Sequence, residues 1–132
     1  MIMEDSAGRF AKGVEAFKAG EIDTAIEELE AATQENHDNY KAFCYLGAAY
    51  AAKQRYNAAI GAFKTAEQIA PRVASIHYNI AQAYEAGGVE SEAEYEYERA
   101  VEINPDYTLA KEALSKLKAR LQHVPKIEGL EG

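Results

Sequence analysis

Apolar and small residues recur along this chain at helical intervals, and the pattern as a whole repeats every 34 residues. Phe43, Leu46, Gly47 and Tyr50 fall at i, i+3, i+4 and i+7, which places them on one stripe of a helix. That periodicity predicts a helix over about 40–53. Ala59, Ile60, Phe63, Ala66 and Ile69 form the stripe of a partner helix over about 56–70. Pro71 stops it, because proline lacks an N–H and disfavours the α region at Ala70. The next copy repeats the sequence of events with His77, Ile80, Ala81 and Tyr84, then Ala93, Tyr97, Ala100 and Ile103, before Asn104 and Pro105.

The register holds without slippage. Ala25, Ala59 and Ala93 share one phase, and Ala32, Ala66 and Ala100 share another. Gly13, Gly47 and Ala81 mark a phase that needs a small residue, while Leu29, Phe63 and Tyr97 hold a bulky one. Pro71 and Pro105 close the second and third copies, and His37 stands where the first proline would be. Such a period implies units that cannot bury their own apolar face and that stack into a continuous core. Helices approach closely only where side chains are small, so a bulky residue at Ala59 or Ala93 would overpack the contact by about 1–3 kcal/mol. Gly20 and Gly88 mark turns where a positive φ is expected. Gln54 holds the same phase in the second copy, which predicts either a different turn or a strained one.

The first copy departs from the pattern: Arg9 and Lys12 occupy phases that are apolar later, as expected of a first helix whose outer side faces water. A further helix over about 108–122 has Leu109, Ala113, Leu114, Leu117 and Leu121 as its apolar stripe and Lys111, Lys116, Lys118 and Arg120 on its wet side, the form of a terminal cap. The predicted organisation is an N-terminal extension over 1–5, repeats over 6–39, 40–73 and 74–107, a capping helix over 108–122 and a flexible tail over 123–132. Val124, Ile127 and Leu130 make that tail a candidate for docking into a groove.

Composition narrows the function. The 132 residues carry a net charge of −8, which disfavours nucleic acid and anionic membrane surfaces. No stretch is long and apolar enough for membrane insertion. One cysteine and no visible signal peptide fit a reducing, cytoplasmic location. Glu90, Glu92, Glu94, Glu96 and Glu98, with Glu27, Glu28 and Glu30, read as a solvated outer face. His37, His77 and His123 lack metal-ligand spacing and read as structural; Cys44 reads as a small apolar filler. With no phosphate loop, nucleophile–base arrangement or paired carboxylates in a cleft, the chain is expected to be no enzyme and to need no cofactor or metal.

These residues resemble the tetratricopeptide repeat family. Leu46-Gly47, Tyr50, Tyr56, Ala59, Phe63, Ala66 and Pro71 match its pattern, and the segment from Lys12 to Gly20 is similar to its opening repeats. The resemblance covers residues 6–107, with 108–122 resembling the family's solvating helix. It implies an all-α, right-handed superhelical solenoid of antiparallel helix pairs, whose first helices line a concave groove for peptides or helices of other proteins. At the family's dicarboxylate-clamp positions stand Phe10, Val14, Tyr45, Ser75 and Asn79, none of them the clamp residue, so clamp binding is not expected. The groove-facing phases offer Phe10, Val14, Phe17 and Lys18, then Lys41, Cys44 and Ala48, then Ser75, Tyr78 and Gln82. The expected role is a non-enzymatic adaptor that takes a peptide or amphipathic helix, anchored near Phe10, Phe17 and Tyr78. The alternative is a scaffold that self-associates, weakly or as a homo-oligomer, through Phe10, Phe17 and the outer helices.

Overall fold

A computed structural model describes residues 5–122. These form seven α-helices and no strand: α1 (Ser6–Lys18), α2 (Ile22–Glu35), α3 (Tyr40–Ala52), α4 (Tyr56–Ile69), α5 (Ala74–Ala86), α6 (Glu90–Ile103) and α7 (Thr108–Gln122). The bounds expected for the second copy lie within one residue of α3 and α4. The expected tail over 123–132 lies outside the described residues.

Two helix starts have a side-chain cap. Asp5 Oδ1 accepts from the Gly8 N–H at 2.8 Å, and Asn39 Oδ1 accepts from the Ala42 N–H at 3.2 Å, each satisfying a donor left over in the first turn. The turns inside the three pairs share one geometry. Glu21, Arg55 and Val89 each donate their N–H to a carbonyl five residues back, at 2.8–2.9 Å. The residue before each lies in the left-handed region: Gly20 at φ 81°, Gln54 at 61° and Gly88 at 83°. Of the two outcomes left open for Gln54, the chain takes the strained one: the turn is kept, with a Cβ in a region that costs an L-residue roughly 1–2 kcal/mol.

Within each pair a bulky residue of the second helix enters a small site on the first. A Cβ built on Gly13 would lie 2.6 Å from Leu29, and one on Gly47 would lie 2.6 Å from the Phe63 ring. In the third pair Ala81 and Tyr97 share one buried cluster. Leu29, Tyr97 and the alanines at 25, 59 and 93 are fully buried, and Phe63 nearly so. The register is therefore a packing rule: small on one rod, large on the other.

The pairs stack in chain order. Each second helix also packs on the first helix of the next pair, and α7 closes the row against α6. In addition α1 touches α3 and α3 touches α5, with no comparable contact between α2 and α4 or between α4 and α6. The first helices therefore crowd one side of the stack, which makes that side the concave one.

Three sequence expectations are corrected. Arg9 does not simply face water. It is half-covered, 3.8 Å from Glu28 and 3.5 Å from Glu35, because α2 folds back over it. Glu96 is not part of a solvated face: it is buried, and its carboxylate meets His77 Nδ1 at 2.8 Å. Leu109 does not belong to the buried stripe of α7. Ala110 and Leu117 are its buried residues, whereas Leu109 is 56% exposed.

Candidate binding groove

The inner helices α1, α3, α5 and α7 present their exposed residues along a row of clefts. The first, of about 540 Å³, is lined by Phe10, Ala11, Val14, Glu15 and Lys18 of α1 with Lys41 and Tyr45 of α3. Tyr45 forms its wall because two rings hold it edge-on: Phe10 at a centroid distance of 6.2 Å and Phe17 at 5.8 Å. The second, of about 370 Å³, is lined by Ala48 and Ala51 of α3 and by Tyr78, Asn79, Gln82, Ala83 and Ala86 of α5, with Tyr56 and Phe63 at its base. Small residues on α3 open it, since nothing larger than a methyl group projects from that helix there. A third, of about 240 Å³, brings Tyr78, Gln82 and Glu85 together with Leu109, Glu112, Ala113 and Lys116 of α7.

The sequence-predicted residues divide among these places. Phe10, Val14 and Lys41 share the first cleft, and Ala48, Tyr78 and Gln82 share the second. Phe17 lines none of the three clefts; like Phe10 and Tyr45, it is half-buried against the cluster that contains Ala16, Leu29 and Leu46. Cys44 packs against the cluster of Ala59, Phe63 and Ile76. Burial pushes its thiol up to about 11, so it is a poor source of thiolate near neutral pH. Ser75 is exposed near the start of α5.

The walls differ in packing and charge. Tyr78 is fixed between Tyr97 and Tyr107, at centroid distances of 5.9 and 5.4 Å. Behind it, the buried Tyr97 hydroxyl donates to Glu85 Oε1 at 2.7 Å and accepts from Gln82 Nε2, while Arg120 donates to Glu85 Oε2 at 3.1 Å. Burial first, and then the bond to Glu85, holds the Tyr97 phenol neutral far above its ordinary range. Sequence reasoning placed Gln82 in the groove but missed this network, along with Leu109. A signal for Leu109 did exist: it is 34 residues after Ser75, a groove-facing phase, so α7 continues the inner row. Among the described residues no group of His, Cys, Asp or Glu is placed to hold a metal ion, and no helix is long and apolar enough to cross a membrane.

Stacked antiparallel pairs around a single row of inner helices define an all-α helical-repeat solenoid. Family models described as tetratricopeptide repeat match residues 10–74 and 74–107, and the chain belongs to that family. A mouse relative, Superkiller complex protein 3, is 26% identical over 121 residues, which are 92% of this chain and 8% of that protein. The chain thus spans a small fraction of that curated relative's length. Solved structures are similar in fold. The first TPR of Spaghetti (RPAP3), bound to the HSP90 peptide SRMEEVD, has a TM-score of 0.85 at 22% identity, covering 89% of this chain and 94% of that one. MamA has a TM-score of 0.86 at 21% identity, covering 89% and 68%. The Arabidopsis OM64 TPR domain has a TM-score of 0.82 at 22% identity, covering 90% and 96%.

Proposed function

We propose that this chain is a non-enzymatic adaptor that binds a peptide or an amphipathic helix of another protein along its inner row of helices, without a dicarboxylate clamp. The observation that carries this reading is the pair of clefts on either side of α3, one aromatic and one opened by alanines. Such a surface accepts bulky apolar side chains from a segment laid across it, with affinity concentrated in a few aromatic anchors. Several fold neighbours are solved with peptides, among them the RPAP3 domain with its HSP90 peptide, which supports the mode of binding and leaves the ligand open. The clamp reading is disfavoured by side chains: Phe10, Val14 and Tyr45 stand where that mode needs polar or cationic groups, and they line the apolar cleft.

The geometry shifts the best probe from Phe17 to Phe10, because Phe10 lines the first cleft and Phe17 does not. Pull-down from native lysate, with wild type beside Phe10→Ala and Tyr78→Ala, tests the proposal. The expected result is a protein retained by wild type and weakened about tenfold or more by either substitution, a change of about 1.4 kcal/mol or more. Equal retention by all three proteins rejects the groove. Sedimentation tests the self-associating alternative, which a monomer independent of concentration rejects.

A further inference from the structure

The first cleft has a charge that the rest of the molecule does not lead one to expect. The chain carries a net charge of −8, and several of its described cations are held by carboxylates: Arg9 by Glu28 and Glu35, Lys53 by Asp23, Lys118 by Glu98, and Arg120 by Glu85 and Glu90. Lys18 and Lys41 are not among these, and they share one apolar cleft. Both are exposed, both line the cleft floored by Phe10, Val14 and Tyr45, and neither makes a hydrogen bond or ion pair among the described residues. The cleft's own carboxylate is Glu15.

Their placement along the helices differs as well. Lys18 ends α1, where a cation suits the negative end of the helix dipole. Lys41 sits in the first turn of α3, which has no acidic residue and where a second positive charge is unfavourable until an anion joins it. Lys41 is in register with Ala7, eleven residues before Lys18. At about 1.5 Å of rise per residue the two Cα positions lie roughly 16 Å apart along the helix direction. An extended segment covers that distance in about five residues.

We propose that the occupant of this cleft is an extended acidic segment of a partner protein, in which a bulky apolar side chain is bracketed by carboxylates about four or five residues apart. The apolar side chain enters between Phe10, Val14 and Tyr45, and the carboxylates meet Lys41 at one end and Lys18 at the other. This rests on the groove reading above and specifies its ligand. The site is distinct from a terminal-carboxylate clamp, because neither lysine stands at a clamp position and the acids flank the apolar residue within a segment.

The test is to pan a phage-displayed library of random twelve-residue peptides on the full chain and on Lys18→Glu/Lys41→Glu. Both side chains are exposed, and unchanged far-ultraviolet circular dichroism checks that the variant is folded. Wild type is expected to enrich Leu, Ile, Met or Phe with Asp or Glu on both sides, and the variant is expected to select Lys and Arg at those flanks. A synthetic peptide from the wild-type pool should then bind the variant at least tenfold more weakly by fluorescence anisotropy. Enriched peptides without acidic flanks, or with equal affinity for both proteins, overturn this inference and leave the groove reading intact. Failure of wild type to enrich any peptide overturns both.

Discussion

The second and third repeats use the same backbone for opposite chemistry. In the second, the slots in question hold Phe43 and Ala62, and Phe63 fills the space beside Gly47. In the third, the equivalent positions hold His77 and Glu96, hydrogen-bonded at 2.8 Å in the interior, and Tyr97 carries a hydroxyl bonded to Gln82 and Glu85. The first repeat gives a third version, with Arg9 beside Glu28. An identical helix pair is thus closed by apolar packing, by a buried imidazole–carboxylate contact or by a partly buried ion pair. The lesson is that the register requires matched slots and does not dictate their polarity. Removing half of the buried imidazole–carboxylate pair should therefore cost stability.

The largest expected effect breaks that pair. Glu96→Ala should destabilise the fold by about 3 kcal/mol in urea unfolding, because it strands a buried polar ring. His77 Nε2 already lacks a hydrogen-bond partner, Glu67 lying 3.8 Å away. The sharper experiment transplants the second repeat's chemistry. His77→Phe with Glu96→Ala should recover most of the loss, since replacing both members of a buried pair by apolar residues is often neutral or stabilising. A double variant as unstable as Glu96→Ala alone would show that the two slots are not interchangeable.

Next comes the small–large contact. Gly47→Ala should cost about 1–3 kcal/mol, because the new methyl group meets the Phe63 ring at 2.6 Å. The same slot in the third repeat already holds alanine against Tyr97, so Ala81→Gly should cost less, at about 1 kcal/mol. Equal costs would mean that the ring position does not govern the slot.

Alkaline pH separates the phenols. Tyr50 donates to Glu30 at 2.7 Å, and burial together with that bond raises its hydroxyl from 10.0 to about 12. Between those values the unfolded chain has released a proton that the folded chain keeps, so stability falls as pH rises through this window. Tyr50→Phe should flatten that part of the fall in a pH series of unfolding midpoints. An unchanged slope would assign the fall to other groups.

The smallest effect is at the turns. Gln54→Gly should stabilise the protein by about 1 kcal/mol or less, giving the second repeat the turn residue of the other two. A loss of stability there would reveal a role for the Gln54 side chain that its backbone does not show.

Much of this molecule was set by its sequence alone. The helices, the small phase at Gly13 and Gly47, the bulky phase at Leu29 and Phe63, and the turns at Gly20 and Gly88 all follow from spacings inside one 34-residue unit. Those spacings are short-range and repeated, so each copy corroborates the others. Three features needed the assembled structure. Glu96 belongs to a run of glutamates at every second position, a spacing that visits both faces of a helix, so only the packed α5 shows which one turns inward. Leu109 looks like a core residue in a helix rich in leucine, and it emerges because α7 rotates Ala110 and Leu117 onto the last repeat. The union of Lys18 and Lys41 in one cleft joins residues from different repeats, and their distance is fixed by how α1 lies on α3, which no periodicity within one copy specifies.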